Sequence, residues 1–302
     1  MKELKGLGTA LITPFKADGS VDYEALSRVL DTQLTGAVDY IVVLGTTGEA
    51  ATMTDDEKRE VRTFIVDYVK RSAISHQRSA IPLVLGVGGN NTAAVCESLR
   101  TIDLTGFEAI LSVCPYYNKP NQEGLYQHFC AIAEASPIPV ILYNVPGRTG
   151  VNLLPETVMR IYEAHPDKII GIKEASGNVE QIKDLIHLAN SQCTMHNAQL
   201  PLLVISGDDG IACEIMEAGG AGLISVASNA FAEDFWDIVH KKDQVKQAKY
   251  AEMIKLLFAE GNPVGIKAVL AQQGIIQNYL RLPLVPASDE LQKAIQNAMK
   301  GL

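Results

Sequence analysis

A lysine at the end of an apolar run is the residue whose setting points most directly to chemistry. Lys173 follows the run 169–172 (Ile-Ile-Gly-Ile), whose β-branched residues are typical of a buried strand. Lysines are rarely buried without a partner or a chemical task. Because burial disfavours an ammonium group, such a lysine can present a neutral amine that attacks a ketone and forms a Schiff base. The pattern equally fits a lysine that reaches solvent past the strand end or pairs with Glu174.

Tyr143 closes the apolar run Val140–Tyr143 and is a candidate for proton transfer. A free phenol titrates near roughly pH 10, so it works as a base at neutral pH only beside a cation or an iminium. Lys173 would supply that charge if the two strands lie side by side. The alternative is an amphipathic tyrosine at a strand end, which is common.

Two further motifs could bind the carboxylates of a small acid. Thr46 and Thr47 lie in a glycine-bounded turn whose amides and hydroxyls could hold a carboxylate, or could only cap the helix that follows. Glu49 favours the start of that helix. Arg148 lies in a Pro-Gly loop and could clamp a carboxylate with two parallel hydrogen bonds, or it could be a solvated loop residue.

The histidines and cysteines form no metal-binding pattern. They are His76, His128, His165, His187, His196 and His240, and Cys96, Cys114, Cys130, Cys193 and Cys213. No HxH, HExxH or CxxC pair occurs among them, and no disulfide framework is indicated. Asp208 and Asp209 open a helix, where capping is the favoured interpretation. We therefore expect neither a metal nor an organic cofactor, which leaves lysine-based covalent catalysis.

Eight apolar runs, each a candidate strand, alternate with helix-like segments along the chain. The runs are Gly8–Phe15, Tyr40–Leu44, Leu83–Val87, Ala109–Cys114, Val140–Tyr143, Ile169–Lys173, Leu202–Ser206 and Gly222–Val226. Continuous apolar runs indicate a parallel sheet covered on both faces. Eight β-then-α units are what an α/β fold of the closed (β/α)8 TIM-barrel type requires. An open doubly wound sheet is the alternative, but no GxGxxG motif opens the first unit.

After Val226 the pattern changes to consecutive helices without a further strand. We predict a barrel over residues 1–229 that carries the active site, and a C-terminal helical extension over residues 230–302 that packs on it. In such barrels the chemistry lies at the carboxyl ends of the strands. The polar residues that follow the predicted strands would therefore converge on one rim.

Composition narrows the class of partner. The net charge is -9 over 302 residues, and nucleic-acid binding requires a basic footprint, so we expect no nucleic-acid partner. No apolar run reaches the length of a membrane span, and we find no pattern of a signal peptide. We expect a cytoplasmic protein that acts on small molecules.

Taken in order, the motifs resemble those of a known family. They are Gly45-Thr-Thr-Gly-Glu49, Tyr143-Asn-Val-Pro-Gly-Arg-Thr149, Gly171-Ile-Lys-Glu174, Ser206-Gly-Asp-Asp209 and Asn262-Pro-Val. The chain resembles, over nearly its whole length, the pyruvate-dependent class I aldolases of the dihydrodipicolinate synthase and N-acetylneuraminate lyase superfamily. Arg148 is typical of the synthase branch, since sialic acid lyases typically lack it. The resemblance implies condensation of pyruvate with L-aspartate 4-semialdehyde in diaminopimelate and lysine biosynthesis.

The resemblance also implies a role for each candidate residue. Lys173 would form the Schiff base, and Tyr143, Thr46 and Tyr117 would relay protons. A homotetramer, a dimer of dimers, is implied as well, with Tyr117 reaching in from a neighbouring subunit. The carboxylate ligands implied are Thr47 and the backbone at Ile224 for pyruvate, and Arg148 for the semialdehyde. Two alternatives remain open, a pyruvate-releasing sugar-acid aldolase such as N-acetylneuraminate lyase and a non-enzymatic barrel that binds keto acids.

One departure from the family concerns feedback by lysine. Lysine-inhibited members carry histidines in the helix after Gly45–Glu49 and a glutamate in the helix after the third strand. The corresponding positions here are Asp55, Lys58 and Ala94. A lysine ligand would lose a carboxylate partner and meet a like charge, so we predict weak or absent inhibition.

Overall fold

Eight parallel strands follow one another in sequence order and close into a barrel. The computed structural model describes residues 4–35, 38–75, 80–195 and 201–302. The strands are β1 Gly6–Ala10, β2 Tyr40–Val43, β3 Leu83–Gly86, β4 Ala109–Val113, β5 Val140–Asn144, β6 Ile169–Glu174, β7 Leu203–Ser206 and β8 Gly222–Ser225. The predicted (β/α)8 barrel is therefore confirmed.

Helices follow the strands and continue after the last one. They are α1 Tyr23–Thr35, α2 Asp55–Ser75, α3 Thr92–Thr101, α4 Gln122–Ala135, α5 Pro146–Thr149, α6 Pro155–Ala164, α7 Val179–Met195, α8 Ala212–Glu217, α9 Ser228–His240, α10 Gln244–Phe258, α11 Val264–Gln272 and α12 Asp289–Met299. The helical C-terminal extension predicted from the sequence is present as α10 to α12. The division at residue 229 stays a prediction.

The strands are buried along their lengths, as the continuous apolar runs predict. Every residue of β1, β2, β5 and β8 is buried. A strand buried on both faces needs apolar side chains at successive positions, since neighbouring side chains point to opposite faces. The core of the fold therefore extends over both faces of the sheet.

The first strand differs from its prediction. The apolar run predicts a strand over Gly8–Phe15, but β1 spans Gly6–Ala10. Pro14 has no N–H to continue the ladder, and its carbonyl instead accepts a hydrogen bond from the amide of Asp22 over 2.9 Å. Phe15 forms an isolated antiparallel bridge with Val21. A turn therefore replaces the second half of the predicted strand.

The helix predicted after the seventh strand is also interrupted. A 3-10 turn covers Asp209–Ile211, and α8 begins only at Ala212. The side chain of Asp208 accepts a hydrogen bond from the amide of Gly210 over 2.8 Å. The capping interpretation of this aspartate is thus confirmed.

The chain divides into two compact units. The first consists chiefly of Val84–Ile224, and the second of Gly6–Leu83 together with Ser225–Leu302. Within the second unit, β1 is tied to α1 and α9 by buried polar side chains. The amide of Asn229 donates to the carbonyl of Ala10 over 2.8 Å, and the hydroxyl of Thr9 donates to Gln33 over 2.7 Å. Among the helices that the structure describes, none is long and apolar enough to cross a membrane.

Candidate active site

Lys173 and Tyr143 face each other inside the first unit. The register of β5 and β6 pairs the Cα atoms of these two residues. Lys173 is only 6% exposed, and its Nζ lies 4.4 Å from the centroid of the Tyr143 ring. A cation or an iminium at this nitrogen is attracted by the ring face. The structure thus brings together the two residues that the sequence nominates for covalent chemistry and proton transfer.

Lys173 neither reaches solvent nor pairs with Glu174, the two non-catalytic alternatives that the sequence allows. The side chain is buried rather than extended into solvent. Its neighbour Glu174 points to the other face of the sheet, as alternation along a strand requires, and accepts a hydrogen bond from Asn144 instead. No acidic side chain of the described residues lies within ion-pair distance of the Lys173 amine. The nitrogen is therefore held without a carboxylate partner in the part of the chain that is described.

Glu174 is a fully buried carboxyl surrounded by hydrogen-bond donors. Asn144 Nδ2 lies 2.9 Å and Gln181 Nε2 3.2 Å from its Oε2, and the amide of Ser176 lies 2.7 Å from its Oε1. Burial raises the pKa of this carboxyl, and the hydrogen bonds from Asn144, Ser176 and Gln181 oppose that rise. All three groups donate, so they stabilise the carboxylate form in part against the larger effect of burial. The sequence alone indicates no role for Glu174 beyond a possible partner for Lys173.

Gly207, directly after β7, leaves room for the Lys173 side chain. A Cβ atom at this position would lie 2.9 Å from Lys173 Cε and 2.6 Å from the Cβ of Ala175. Both distances are shorter than packed side chains allow. The absence of a side chain at residue 207 is therefore part of what fixes the path of Lys173.

Thr46 and Thr47 lie in the second unit, in a 3-10 turn after β2. The turn spans Thr46–Gly48 and closes with hydrogen bonds from the amide of Gly48 to the carbonyl of Gly45 and from the amide of Glu49 to the carbonyl of Thr46. Thr47 is buried and Thr46 is exposed. Neither hydroxyl caps α2, because Thr54 does so: the amide of Glu57 donates to Thr54 Oγ1 over 3.2 Å. The capping interpretation is therefore not supported at this turn.

The hydroxyl of Thr47 is held by the helical extension of the same unit. Asn262 Nδ2 donates a hydrogen bond to Thr47 Oγ1 over 2.9 Å. Because the hydroxyl oxygen is accepting, its own proton is available for donation elsewhere. This orientation suits a hydroxyl that donates to a carboxylate.

Glu49 has a role that sequence reasoning missed. Its carboxylate forms a buried ion pair with Lys267 on α11, which is 0% exposed, and accepts a hydrogen bond from the amide of Arg281. The Phe15 ring lies against both cations, 4.2 Å from Lys267 Nζ and 4.4 Å from Arg281 Cζ. A single lysine in the apolar stretch 264–270 was the available signal, because a lysine inside an apolar helix needs a partner.

The remaining candidates occupy different settings. Ile224 is buried on β8. Arg148 lies on the exposed side of α5, a short helix that the sequence analysis did not predict. Tyr117 is 89% exposed and adopts a left-handed backbone conformation with φ of 74°, and its amide donates to the carbonyl of Thr149. The chain by itself does not turn the Tyr117 side chain inward.

In the ranges that the structure covers, no cluster of three or more histidine, cysteine or acidic side chains could hold a metal ion. His76 and His196, and the side chain of Cys193, lie outside the described residues. Cys96, Cys114, Cys130 and Cys213 are free thiols.

Comparison with known proteins gives a consistent result. The profile of the Dihydrodipicolinate synthetase family matches residues 3–302. A 4-hydroxy-tetrahydrodipicolinate synthase of Parabacteroides distasonis is 46% identical over 306 residues, which cover 99% of this chain and 97% of that protein.

Solved structures of the family are similar over the same extent. A chloride-inhibited dihydrodipicolinate synthase from Acinetobacter baumannii, complexed with pyruvate, is 37% identical with a TM-score of 0.89 and covers 99% of both chains. A monomeric dihydrodipicolinate synthase variant is also 37% identical, with a TM-score of 0.89, and covers 98% of this chain and 96% of that one. The whole-length match and the placement of Lys173 beside Tyr143 establish that this chain belongs to the dihydrodipicolinate synthase family.

Proposed function

We propose that this protein is a lyase of diaminopimelate and lysine biosynthesis that condenses pyruvate with L-aspartate 4-semialdehyde to 4-hydroxy-tetrahydrodipicolinate. The observation that carries the proposal is the buried amine of Lys173, which lies 4.4 Å from the ring centroid of Tyr143. Relatives of 43–47% identity that bear the name 4-hydroxy-tetrahydrodipicolinate synthase support it.

The covalent steps follow from the chemistry of a neutral amine. Lys173 Nζ attacks the ketone carbon of pyruvate, and loss of water leaves an iminium. The iminium accepts electrons when the pyruvate methyl group loses a proton, which gives an enamine. The enamine carbon then bonds to the aldehyde carbon of the semialdehyde, and the aldehyde oxygen takes up a proton. Finally the amine of the semialdehyde attacks the iminium carbon, closes the ring and displaces Lys173.

The protein contributes proton transfer and positioning in this scheme. Tyr143, Thr46 and Tyr117 form the proton relay, a contribution typically of about 10²–10⁴-fold in rate. The other assigned residues bind carboxylates: Thr47 and the backbone of Ile224 hold that of pyruvate, and Arg148 that of the semialdehyde. The Asn262 bond to Thr47 supports the role of Thr47, because it leaves the hydroxyl proton free to point at an anion. No metal or organic cofactor takes part.

Borohydride reduction in the presence of pyruvate tests the covalent step. Mass spectrometry should find one reduced pyruvate adduct on Lys173, and Lys173→Ala should abolish it. Lys168→Ala is the matched control, because Lys168 lies just before the same strand and its amine donates to the carbonyl of Ser136. An adduct that survives in Lys173→Ala, or none in the wild type, would overturn the proposal.

Turnover then separates the proposed reaction from its alternatives. The proposal predicts consumption of pyruvate with aspartate semialdehyde and no release of pyruvate from N-acetylneuraminate. The opposite result would favour a sugar-acid aldolase. A trapped adduct with no turnover of either substrate would favour a barrel that only binds keto acids.

A homotetramer and a cytoplasmic location complete the proposal. The exposed ring and left-handed backbone of Tyr117 are the support for assembly, since an aromatic side chain so exposed gains from a partner surface. Sedimentation of wild type and Tyr117→Ala tests the assembly, and cell fractionation tests the location. A wild-type protein that sediments as a monomer and remains active would contradict the shared role of Tyr117.

A further inference from the structure

Two pairs of side chains lie opposite each other at the ends of β5 and β6. The Cα register pairs Tyr143 with Lys173 and Asn144 with Glu174. Since successive side chains of a strand point to opposite faces, the first pair faces the barrel interior and the second pair faces away from it. The outward pair is joined directly, because Asn144 Nδ2 donates to Glu174 Oε2 over 2.9 Å. One side-chain hydrogen bond therefore lies behind the catalytic lysine and tyrosine.

The ladder between these strands changes register along its length. Val140 pairs with Ile169, but Ile141 pairs with Gly171, so the register shifts by one residue near the start of β5. A bulge of this kind leaves an unpaired residue and re-aims the side chains that follow it. In a strand pair, a slip of one residue would turn Lys173 to the wrong face. Beyond the bulge, four residue pairs continue the ladder from Ile141 to Asn144, and the amide of Ala175 donates to the carbonyl of Asn144 over 2.9 Å. The side-chain bond between Asn144 and Glu174 lies at this end of the ladder and adds to the backbone pairing.

The outward pair is itself held by neighbours in the same unit. Asn144 Nδ2 also contacts Asn152 Oδ1 at 2.7 Å, and Asn144 Oδ1 accepts from the amide of Leu153 over 3.0 Å. Gln181 bonds to both Glu174 and Asn152. Glu174 is fully buried, and among the described residues no cation balances its charge. A buried carboxylate without a counterion lowers the stability of the fold. Packing alone therefore does not explain a glutamate at this position.

We propose that Asn144 and Glu174 are positioning residues, whose hydrogen bond fixes the β5–β6 register and thereby holds the Lys173 amine over the Tyr143 ring. This inference rests on the proposed function, since it assigns Lys173 and Tyr143 to the reaction. Neither Asn144 nor Glu174 touches substrate in this scheme. Their effect is on the geometry of the two groups that do.

Reversing the polarity of the pair tests the inference. Glu174→Gln removes the acceptor charge, and Asn144→Asp sets two carboxylates against each other. Each should lower kcat at saturating pyruvate and slow borohydride trapping, by about 10- to 100-fold if the amine moves by about 1 Å. The double variant Asn144→Asp/Glu174→Gln restores a donor and an acceptor in exchanged places. It should recover most of that loss, so that its kcat lies within about tenfold of the wild-type value and exceeds that of the weaker single variant.

Acid dependence gives a second readout. Two facing carboxylates share a proton more readily at low pH, because each raises the pKa of the other. The kcat of Asn144→Asp relative to wild type should therefore rise as the pH falls from about 8 to about 6. A change in stability alone would not produce this recovery.

A matched control separates an effect on the β5–β6 register from a general loss of stability. Gln122→Ala removes two hydrogen bonds from the loop behind the pair, to the carbonyl of Asn152 and from the amide of Leu154. It should lower the melting temperature and leave kcat and the trapping rate at the wild-type value. If Asn144→Asp fails to fold, the kcat and trapping rate of Glu174→Gln are compared with those of Gln122→Ala instead. Folded single variants with wild-type kcat, or a double variant no better than the weaker single, would overturn the inference.

The proposed function can fail separately. It fails if wild-type protein forms no adduct on Lys173 or does not turn over aspartate semialdehyde. The positioning role fails if wild type does both and the outward pair can be changed without effect.

Discussion

Asn262 donates a hydrogen bond from its amide to the hydroxyl of Thr47 over 2.9 Å, within one unit of the fold. The two residues are far apart in the chain, since Asn262 directly precedes α11 and Thr47 follows β2. The buried pair of Lys267 and Glu49 ties the same two segments together. The C-terminal helical segment thus fixes the turn that carries Thr46 and Thr47.

Replacing Asn262 with aspartate should weaken pyruvate binding. The new carboxylate would accept the Thr47 proton and place a negative charge near the bound carboxylate, so we expect KM for pyruvate to rise about 10-fold or more with a smaller fall in kcat. Steady-state kinetics measure both constants. Gln272→Glu, the same exchange on α11, is the control, because that amide makes only an exposed bond to the carbonyl of Gln292. Equal changes of the pyruvate KM in the two variants would contradict this prediction.

A methyl group at residue 207 should displace the side chain of Lys173. In Gly207→Ala the new Cβ would lie 2.9 Å from Lys173 Cε and 2.6 Å from Ala175 Cβ, and Ala175 has no flexible end that could move aside. We expect kcat to fall at least about tenfold, since small displacements of a reacting group are costly. Gly147→Ala is the control, because nothing lies within 4 Å of a Cβ built there. Wild-type trapping of pyruvate by Gly207→Ala would contradict this account.

The sequence is sufficient to predict the barrel and the approach of Lys173 to Tyr143. Each strand is a continuous apolar run, and consecutive strands of a barrel are neighbours, so the fifth and sixth runs had to place their ends side by side. The opposite facing of Glu174 also follows from alternation along a strand. Local patterns therefore predicted these features correctly. The exceptions are β1, which ends at Ala10, the 3-10 turn Asp209–Ile211 before α8, and the short helix α5.

The pairing of Lys267 with Glu49 was not predictable in the same way. These residues are separated by most of the chain, and each alone has an ordinary explanation. A glutamate is favourable near the start of a helix. A lysine can bury its aliphatic chain while its amine reaches solvent. Only the packing of α11 against the turn after β2 makes them a pair. The hydrogen bond from Asn262 to Thr47 was not predictable for the same reason, because the periodicity of a sequence does not indicate contacts between distant segments.

Acid should destabilise the protein through His128 on α4. Burial lowers the pKa of His128 to about 4, whereas an unfolded histidine titrates near roughly 6.5. Between these values the unfolded state binds the proton and the native state does not, so stability is present above about pH 6.5 and falls as the pH drops toward 4, by up to about 3 kcal/mol.

Substitution at two histidines checks this assignment. In His128→Gln the free energy of unfolding should lose less on acidification from about pH 6.5 to about pH 4 than in the wild type, as measured by urea denaturation. His187→Gln should keep the wild-type dependence, because that side chain is exposed. If the free energy of unfolding falls equally in His128→Gln and in the wild type on acidification, the loss of stability belongs to other groups.

Breaking the Lys267–Glu49 pair should destabilise the fold strongly. Lys267→Met leaves the Glu49 carboxylate buried without its cation, which typically costs about 3–5 kcal/mol. The double variant Lys267→Met/Glu49→Gln removes the orphaned charge and should be more stable than the single variant. Lys255→Met is the control, because its amine is 4.0 Å from Glu252 on a side chain that is 77% exposed, and exposed pairs contribute about 0–1 kcal/mol. A double variant less stable than Lys267→Met would contradict this view of the pair.

Lysine should be a poor inhibitor of the proposed reaction. Lys58 lies on α2 with its Nζ 3.3 Å from Asp55 Oδ1, so the position holds a cation where inhibited relatives are expected to carry histidine. Ala94 on α3 offers no carboxylate for an amino group. A cationic ligand would meet repulsion at the first position and lack a partner at the second.

Initial rates at saturating pyruvate and millimolar lysine provide the test. We expect the wild type to keep most of its activity, and we expect the double variant Lys58→His/Ala94→Glu to become more sensitive to lysine, because it removes the like charge and adds a carboxylate. Lys70→His/Ala93→Glu carries the same exchanges at other positions of the same two helices and should stay insensitive. Activity of the wild type that falls to near zero at sub-millimolar lysine would refute the prediction. Sensitivity gained equally by both double variants would show instead that the added carboxylate acts without regard to position.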